Sequence, residues 1–241
     1  MKSAFLLLLS LCIIPTAAAR DYVVGVENLE YSPIYATNNG KYEGYARDLL
    51  DAFGKASGHT FSYRPLPVKR LFADFLGGKL DFKYPDNPQW AASERGDKTL
   101  YYSEVTLVAT DGVMVAAARE PGKALTRLVT IRGFTPWVYM DAIGKGSIAL
   151  QEVNDLDAAL SSVLAGRAEG AYGNVVVAAK RLQENGQAGA LVFDRELPYA
   201  DADFSLSTMA HPQVIDEFNA FLRDQADLVA ALKKRHGVDI D

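Results

Sequence analysis

The chain is nearly without cysteine and poor in histidine. Cys12 is its one cysteine, and His59, His211 and His236 are its histidines. One cysteine cannot close a disulfide within the chain, and no cysteine–histidine set has zinc-site spacing. The histidines lie far apart, and none belongs to a His-Glu-x-x-His pattern. No metal or other cofactor is expected, since only carboxylates from distant segments could assemble a metal site. Basic runs are also missing. The 25 Lys+Arg face 30 Asp+Glu, a formal net charge of -5, which argues against a nucleic-acid partner. There is no Gly-x-x-x-x-Gly-Lys-Ser/Thr phosphate loop and no Gly-x-Ser-x-Gly nucleophile turn. Catalysis has no positive support in the sequence, and a non-enzyme is expected.

One short apolar run is present, at the start. Met1-Lys2-Ser3 is a positive opening, Phe5 to Ile14 is almost unbroken in its apolarity, and Pro15 precedes Ala17-Ala18-Ala19. This is the pattern of a secretory signal peptide cleaved after Ala19. The run is too short for the ~20 apolar residues of a spanning helix, and nothing later is longer, so no stable membrane insertion is expected. Cleavage after residue 19 of 241 would leave 222 residues. Lys2 and Cys12 go with the signal, so 24 positive residues would face 30 negative ones, a charge of -6. With 49% hydrophobic and 23% charged residues, the remainder has ordinary globular composition.

Strand and helix signals alternate along it. Tyr22–Val26 is β-prone and ends in a loop from Glu27 to Gly40. Arg47–Ala56 has Leu49, Leu50 and Phe53 on one helical side. Thr60–Tyr63 is a strand, with Pro65 and Pro67 marking its exit. Val68–Leu76 is a helix and Leu80–Lys83 a strand. Leu107–Ala109 and Val113–Ala117 are β-prone pieces flanking Asp111-Gly112. Lys123–Leu128 reads as a short helix and Leu128–Ile131 as a strand. Leu156–Leu164 and Asn174–Gln183 read as helices, Ala190–Phe193 as a strand and Ile215–Leu232 as one long terminal helix. Strands separated by helices predict an α/β architecture around a mostly parallel sheet. Leu76-Gly77-Gly78-Lys79-Leu80-Asp81 also echoes Leu164-Ala165-Gly166-Arg167-Ala168-Glu169, as two similarly built lobes would.

Several side chains stand where a cleft could use them. Arg70 opens a helix, and its planar guanidinium suits a carboxylate; an exposed helix-start arginine is the alternative. Arg95 has the same two readings. Arg132 precedes Gly133-Phe134-Thr135, a turn whose amides or threonine hydroxyl could hold an anionic oxygen, unless Thr135 only caps a helix before Pro136. Trp90, Tyr31, Tyr35, Tyr84, Phe134 and Trp137 are either cleft walls or core. Asn174 either caps a helix or meets a solute. Glu27 either contacts a polar ligand or caps a loop, and Lys83 and Asp86 could pair with each other.

Tyr31-x-Pro33, Gly44-Tyr45-x-x-Asp48-Leu49, Pro67-x-x-Arg70-Leu71, Gly78-Lys79-Leu80-Asp81, Tyr102-Ser103, Gly133-x-Thr135 and Gly166-Arg167-Ala168-Glu169-Gly170 follow one another in an order that resembles the bacterial periplasmic solute-binding proteins of family 3, the amino-acid ABC-transporter type. The resemblance implies a two-lobed type II binding-protein fold with a hinge of two crossing segments. Lobe 1 would span residues 20–110 plus 196–241, and lobe 2 residues 111–195. It also implies a monomer in the periplasm that binds a small polar, anionic organic solute for an ABC permease. A module serving a sensor protein and a dehydratase-like enzyme are the alternatives. The family's Thr-x-x-Arg segment, whose arginine clamps a ligand carboxylate, corresponds to Ala92-Ser93-Glu94-Arg95, with the threonine lost. Its ammonium-binding acid corresponds to Asn174. Both departures mark a divergent branch and put a standard amino acid in doubt.

Overall fold

Parallel strands alternating with covering helices build most of the molecule. The computed structural model describes residues 20–238, so the expected signal peptide lies outside the described residues. β1 (Asp21–Glu27) leads into an antiparallel ribbon of β2 (Glu30–Tyr31), β3 (Tyr35–Asn38) and β4 (Lys41–Glu43), a segment expected to be loop. Next come α1 (Tyr45–Ser57), β5 (Thr60–Leu66), α2 (Val68–Leu76), β6 (Phe82–Asp86), β7 (Tyr101–Tyr102) and β8 (Leu107–Ala116). β9 (Arg127–Ile131), α3 (Met140–Gly144), β10 (Ala149–Val153), α4 (Leu156–Leu164), β11 (Gly170–Asn174), α5 (Val175–Glu184) and β12 (Leu191–Phe193) follow. The described chain ends with β13 (Ala200–Thr208), α6 (Pro212–Asp224) and α7 (Ala226–His236).

The main sheet runs β10-β9-β11-β8-β13-β6-β1-β5. β1 is parallel to β5 and β6, and β9 is parallel to β10 and β11. Between these two parallel groups lie β8 and β13, antiparallel to each other in register from Ala200 opposite Asp111 to Phe204 opposite Leu107, and antiparallel also to their outer neighbours β11 and β6, so the sheet is mixed rather than mostly parallel. In α1, Leu49, Leu50 and Phe53 are fully buried, as the apolar spacing predicts, and Phe53 packs on Phe218 and Phe221 of α6 at 4.9 and 5.6 Å between ring centres. Burying each such side chain contributes roughly 1.5–3 kcal/mol.

The sequence echo is a structural repeat. α2 turns into β6 through Gly78, with the Lys79 N–H on Asp74 O at 3.0 Å. α4 turns into β11 through Gly166, with the Arg167 N–H on Ser162 O at 2.9 Å. Both glycines have left-handed backbone, φ 73° and 69°.

Four expectations change. Asp111-Gly112 is no break, because β8 runs straight through it. Its neighbours on both sides supply ladder partners, and a side chain at position 112 would meet the Phe193 ring at 2.4 Å. Residues 123–126 form no helix. β5 continues through Pro65, which an edge strand tolerates because one side of its backbone needs no partner. The terminal helix divides at Gln225, where the apolar spacing lapses, and α7 buries Val229 and Leu232 while Leu228 is exposed.

Candidate functional site

Glu27 ends β1, the strand flanked in parallel by β5 and β6. In open α/β sheets the crevice at the carboxyl ends of strands is where ligands bind. Here that crevice is a narrow, partly open cavity. Glu27, Tyr31, Tyr35, Val68, Phe72 and Trp90 line it from the β1–β6 side. Asp111, Gly133, Phe134, Thr135 and Tyr172 line it from the β8–β11 side, and Phe204 of β13 completes it.

Local geometry explains how these side chains meet. The β2–β3 hairpin places Tyr31 opposite Tyr35, and their rings stack at 5.2 Å. Phe134 meets Tyr31 edge-on at 5.6 Å, and Trp90 meets Phe204 edge-on at 5.4 Å. Gly133, at φ 95°, brings its turn against the start of α2. A Cβ there would lie 3.0 Å from the Val68 side chain, so glycine is what permits this approach. Contacts span the cavity rim. The Ala91 N–H donates to Thr135 Oγ1 at 3.3 Å, the Asn174 N–H to the Tyr31 hydroxyl at 2.9 Å, and Lys69 Nζ to Glu152 at 2.9 Å.

The lining carries two charged side chains, and both are acidic. Glu27 is buried and accepts a hydrogen bond from the Tyr35 hydroxyl. Burial raises its pKa above the usual carboxylate range, opposed by the positive Lys83 and by the Tyr35 bond. Asp111 is pushed up to about 7, first by burial and then by repulsion from Glu27. Its carboxylate has no hydrogen-bond or ion-pair partner among the described residues. The Tyr172 hydroxyl is also buried and unpartnered.

Of the residues singled out from sequence, Glu27, Tyr31, Tyr35, Trp90, Phe134 and Thr135 come together around this cavity, while Tyr84 and Trp137 are not in its lining. Arg70, Arg95, Arg132 and Asn174 are not part of its lining. Arg70 is exposed and pairs with Asp74 at 3.4 Å within its own helix. Arg132 is exposed, and the amides after it are engaged, Gly133 N–H on Glu152 at 3.0 Å and Phe134 N–H on Ile131 O at 2.9 Å. Asn174 caps α5, its Oδ1 accepting from Val176 and Val177 at 3.0 and 2.9 Å. Arg95 is buried, and its guanidinium donates to Asn87 O at 2.6 Å, to Trp90 O at 2.7 Å and to Asp86 at 3.3 Å. It shapes the Asn87–Trp90 loop from behind.

Asp111, Phe72 and Tyr172 were not singled out. Asp111 was hidden by its turn-like Asp-Gly pair. Phe72 and Tyr172 carry no signal beyond ordinary core pattern. Lys83 and Asp86 do pair, at 3.1 Å and fully buried. Lys83 Nζ also donates to Pro85 O at 2.6 Å and lies 4.1 Å from the centre of the Phe72 ring and 5.5 Å from that of Trp90. It sits directly behind the cavity's aromatic wall.

No protein-family model matches the chain, and no curated protein matches it in sequence. Solved structures do match in shape. The arginine-, lysine-, histidine-binding protein ArtJ from Geobacillus stearothermophilus superposes with a TM-score of 0.72 at 17% identity, covering 90% of this chain and 94% of that one. An ancestral arginine-binding protein bound to glutamine gives 0.71 at 16%, covering 90% and 97%. A histidine kinase sensor domain with similarity to periplasmic binding proteins gives 0.72 at 18%, covering 90% and 96%. The chain therefore has the two-lobed α/β fold of periplasmic binding proteins.

Proposed function

We propose that this protein is a noncatalytic periplasmic binding protein that holds a small organic solute in the Glu27–Asp111 cavity and presents it, as a soluble monomer, to an ABC permease. The lobes are residues 20–110 plus 196–241 and residues 111–195, with β8 and β13 as the crossing segments. The observation that carries the reading is the composition of the cavity wall, drawn from both parallel strand groups. A solute held there touches both, so it binds the closed form better than an open one and shifts the population toward closure. The anionic solute expected from the arginines has no support in the lining, which contains no lysine, arginine or histidine. The similarity to a histidine kinase sensor domain supports one second reading, a module that reports the solute to a signalling partner.

Native mass spectrometry of freshly purified protein, followed by denaturing release, tests the proposal. A small molecule recovered unchanged, which raises the melting temperature when added back and compacts the protein in small-angle scattering, supports it. A chemically altered molecule points to an enzyme. Absence of both binding and compaction counts against the cavity as a ligand site. Uptake lost on deletion of the gene supports transport. Unchanged uptake with a lost transcriptional response supports the sensor.

A further inference from the structure

Charge, aromatic surface and unmet hydrogen-bonding capacity coincide in the same cavity, and together they point to a ligand class. Both charged side chains of its lining are carboxylates, and neither is neutralised within the cavity. Glu27 accepts one bond, from Tyr35, which leaves most of its acceptor capacity open. Asp111 has no partner among the described residues. The Tyr172 oxygen is buried without one as well, although Tyr172 is only 3% exposed. A buried polar atom without a partner is costly unless a ligand supplies the missing bond, and Asp111, half-buried, keeps its carboxylate open to the cavity.

The neighbouring charges nearly close the account. Behind the wall, Lys83 faces Glu27, and Lys83 and Arg95 share Asp86. When all are ionised, these three carboxylates and two cations leave one negative charge, and Glu27 and Asp111 both face the cavity. Aromatic faces surround this space, a setting that attracts a cation through the ring quadrupole. The arginines that could have clamped a carboxylate are outside the lining.

We propose that the cavity selects a small organic amine in its cationic form and needs no carboxylate on the ligand, the ammonium lying between Glu27 and Asp111 and the carbon skeleton against Tyr31, Trp90 and Phe134. This rests on the cavity being the solute site.

The test is a thermal-shift and calorimetric comparison of the purified exported protein with three probe sets at millimolar concentration. The sets are amines without carboxylate (phenethylamine, putrescine, choline), zwitterions (glutamine, phenylalanine) and acids (benzoate, succinate). At least one amine is expected to bind, with affinity falling about 10-fold or more in Asp111→Asn and in Glu27→Gln. Trp90 fluorescence reports occupancy of the cavity, read in a Trp137→Phe background. Failure of every amine overturns the inference, as does binding confined to acids or zwitterions. If only an acid or zwitterion binds and it perturbs Trp90, the cavity reading survives and the amine class alone fails. If a probe binds without perturbing Trp90, and Phe134→Ala leaves its affinity unchanged, the cavity reading fails too.

Discussion

Two charge clusters lie on opposite sides of the Phe72–Trp90 wall, and they are built differently. Behind the wall, every charge is met. Asp86 receives Lys83, Arg95, the Ser207 hydroxyl at 2.6 Å and the Asn87 N–H at 2.9 Å. In front of it, Glu27 has one donor and Asp111 none among the described residues. A satisfied network holds a loop in place, because removing any member strands another in a low-dielectric interior. An unsatisfied pair stores electrostatic potential that a bound molecule can use. The same chemistry thus supports architecture on one side and recognition on the other.

The largest expected effect comes from breaking the satisfied side. Lys83→Met leaves Asp86 buried without its ammonium and should cost about 3–5 kcal/mol of stability, read from urea unfolding. Arg95→Ala should cost about 2–3 kcal/mol, since three acceptors lose a donor, and should also weaken solute binding by loosening Trp90. A stability loss with unchanged binding would separate the two clusters more sharply than the structure implies.

The unsatisfied side should respond in the opposite direction. Below about pH 4 the Asp111 proton is bound in both folded and unfolded chains. Between that point and its folded value of about 7, the unfolded chain releases the proton and the folded chain keeps it. The folded state then binds more protons, so stability falls as pH rises through this window and stays lowered above it. Glu27, Tyr31 and Tyr172 are the titratable groups that interact with Asp111, and both tyrosines are pushed above their ordinary range by burial. Asp111→Asn should therefore be more stable than the parent by roughly 2 kcal/mol at pH 8, with the gain vanishing near pH 4. A site whose neutralisation stabilises the protein while abolishing binding is the mark of a function-driven residue. Equal stability at both pH values would mean that Asp111 is not strained.

The smallest effect belongs to Arg70. Its guanidinium is exposed and paired only within α2. Arg70→Ala should change stability by less than about 0.5 kcal/mol and leave solute affinity unchanged in calorimetry. A large loss of affinity would move the binding site to the mouth of α2.

How much of this was legible depends on the range of the interaction that decides it. α1, α2, α4 and α5 follow from apolar spacing and their end signals, because helix formation and capping are local. β13 was overlooked although Ala202, Phe204 and Leu206 alternate with polar residues, a pattern that identifies a half-buried strand. Asp111-Gly112 misled because its local preference is for a turn. Strand pairing on both sides outweighs that preference and holds Asp111 on the cavity wall. The arginines misled for a related reason. Their chemistry suits a carboxylate wherever they stand, and only burial and partners decide whether they are available.

The sequence by itself determined the alternation of strands and helices, the repeated helix-turn-strand unit and the aromatic residues that turn out to cluster at the cavity. These are short-range properties of hydrophobic period and backbone preference. Only the tertiary structure decided which charges are spent and which remain open. That outcome depends on residues as far apart as Glu27, Asp111 and Tyr172 sharing one low-dielectric space, where the presence or absence of a single partner outweighs the intrinsic chemistry of the side chain.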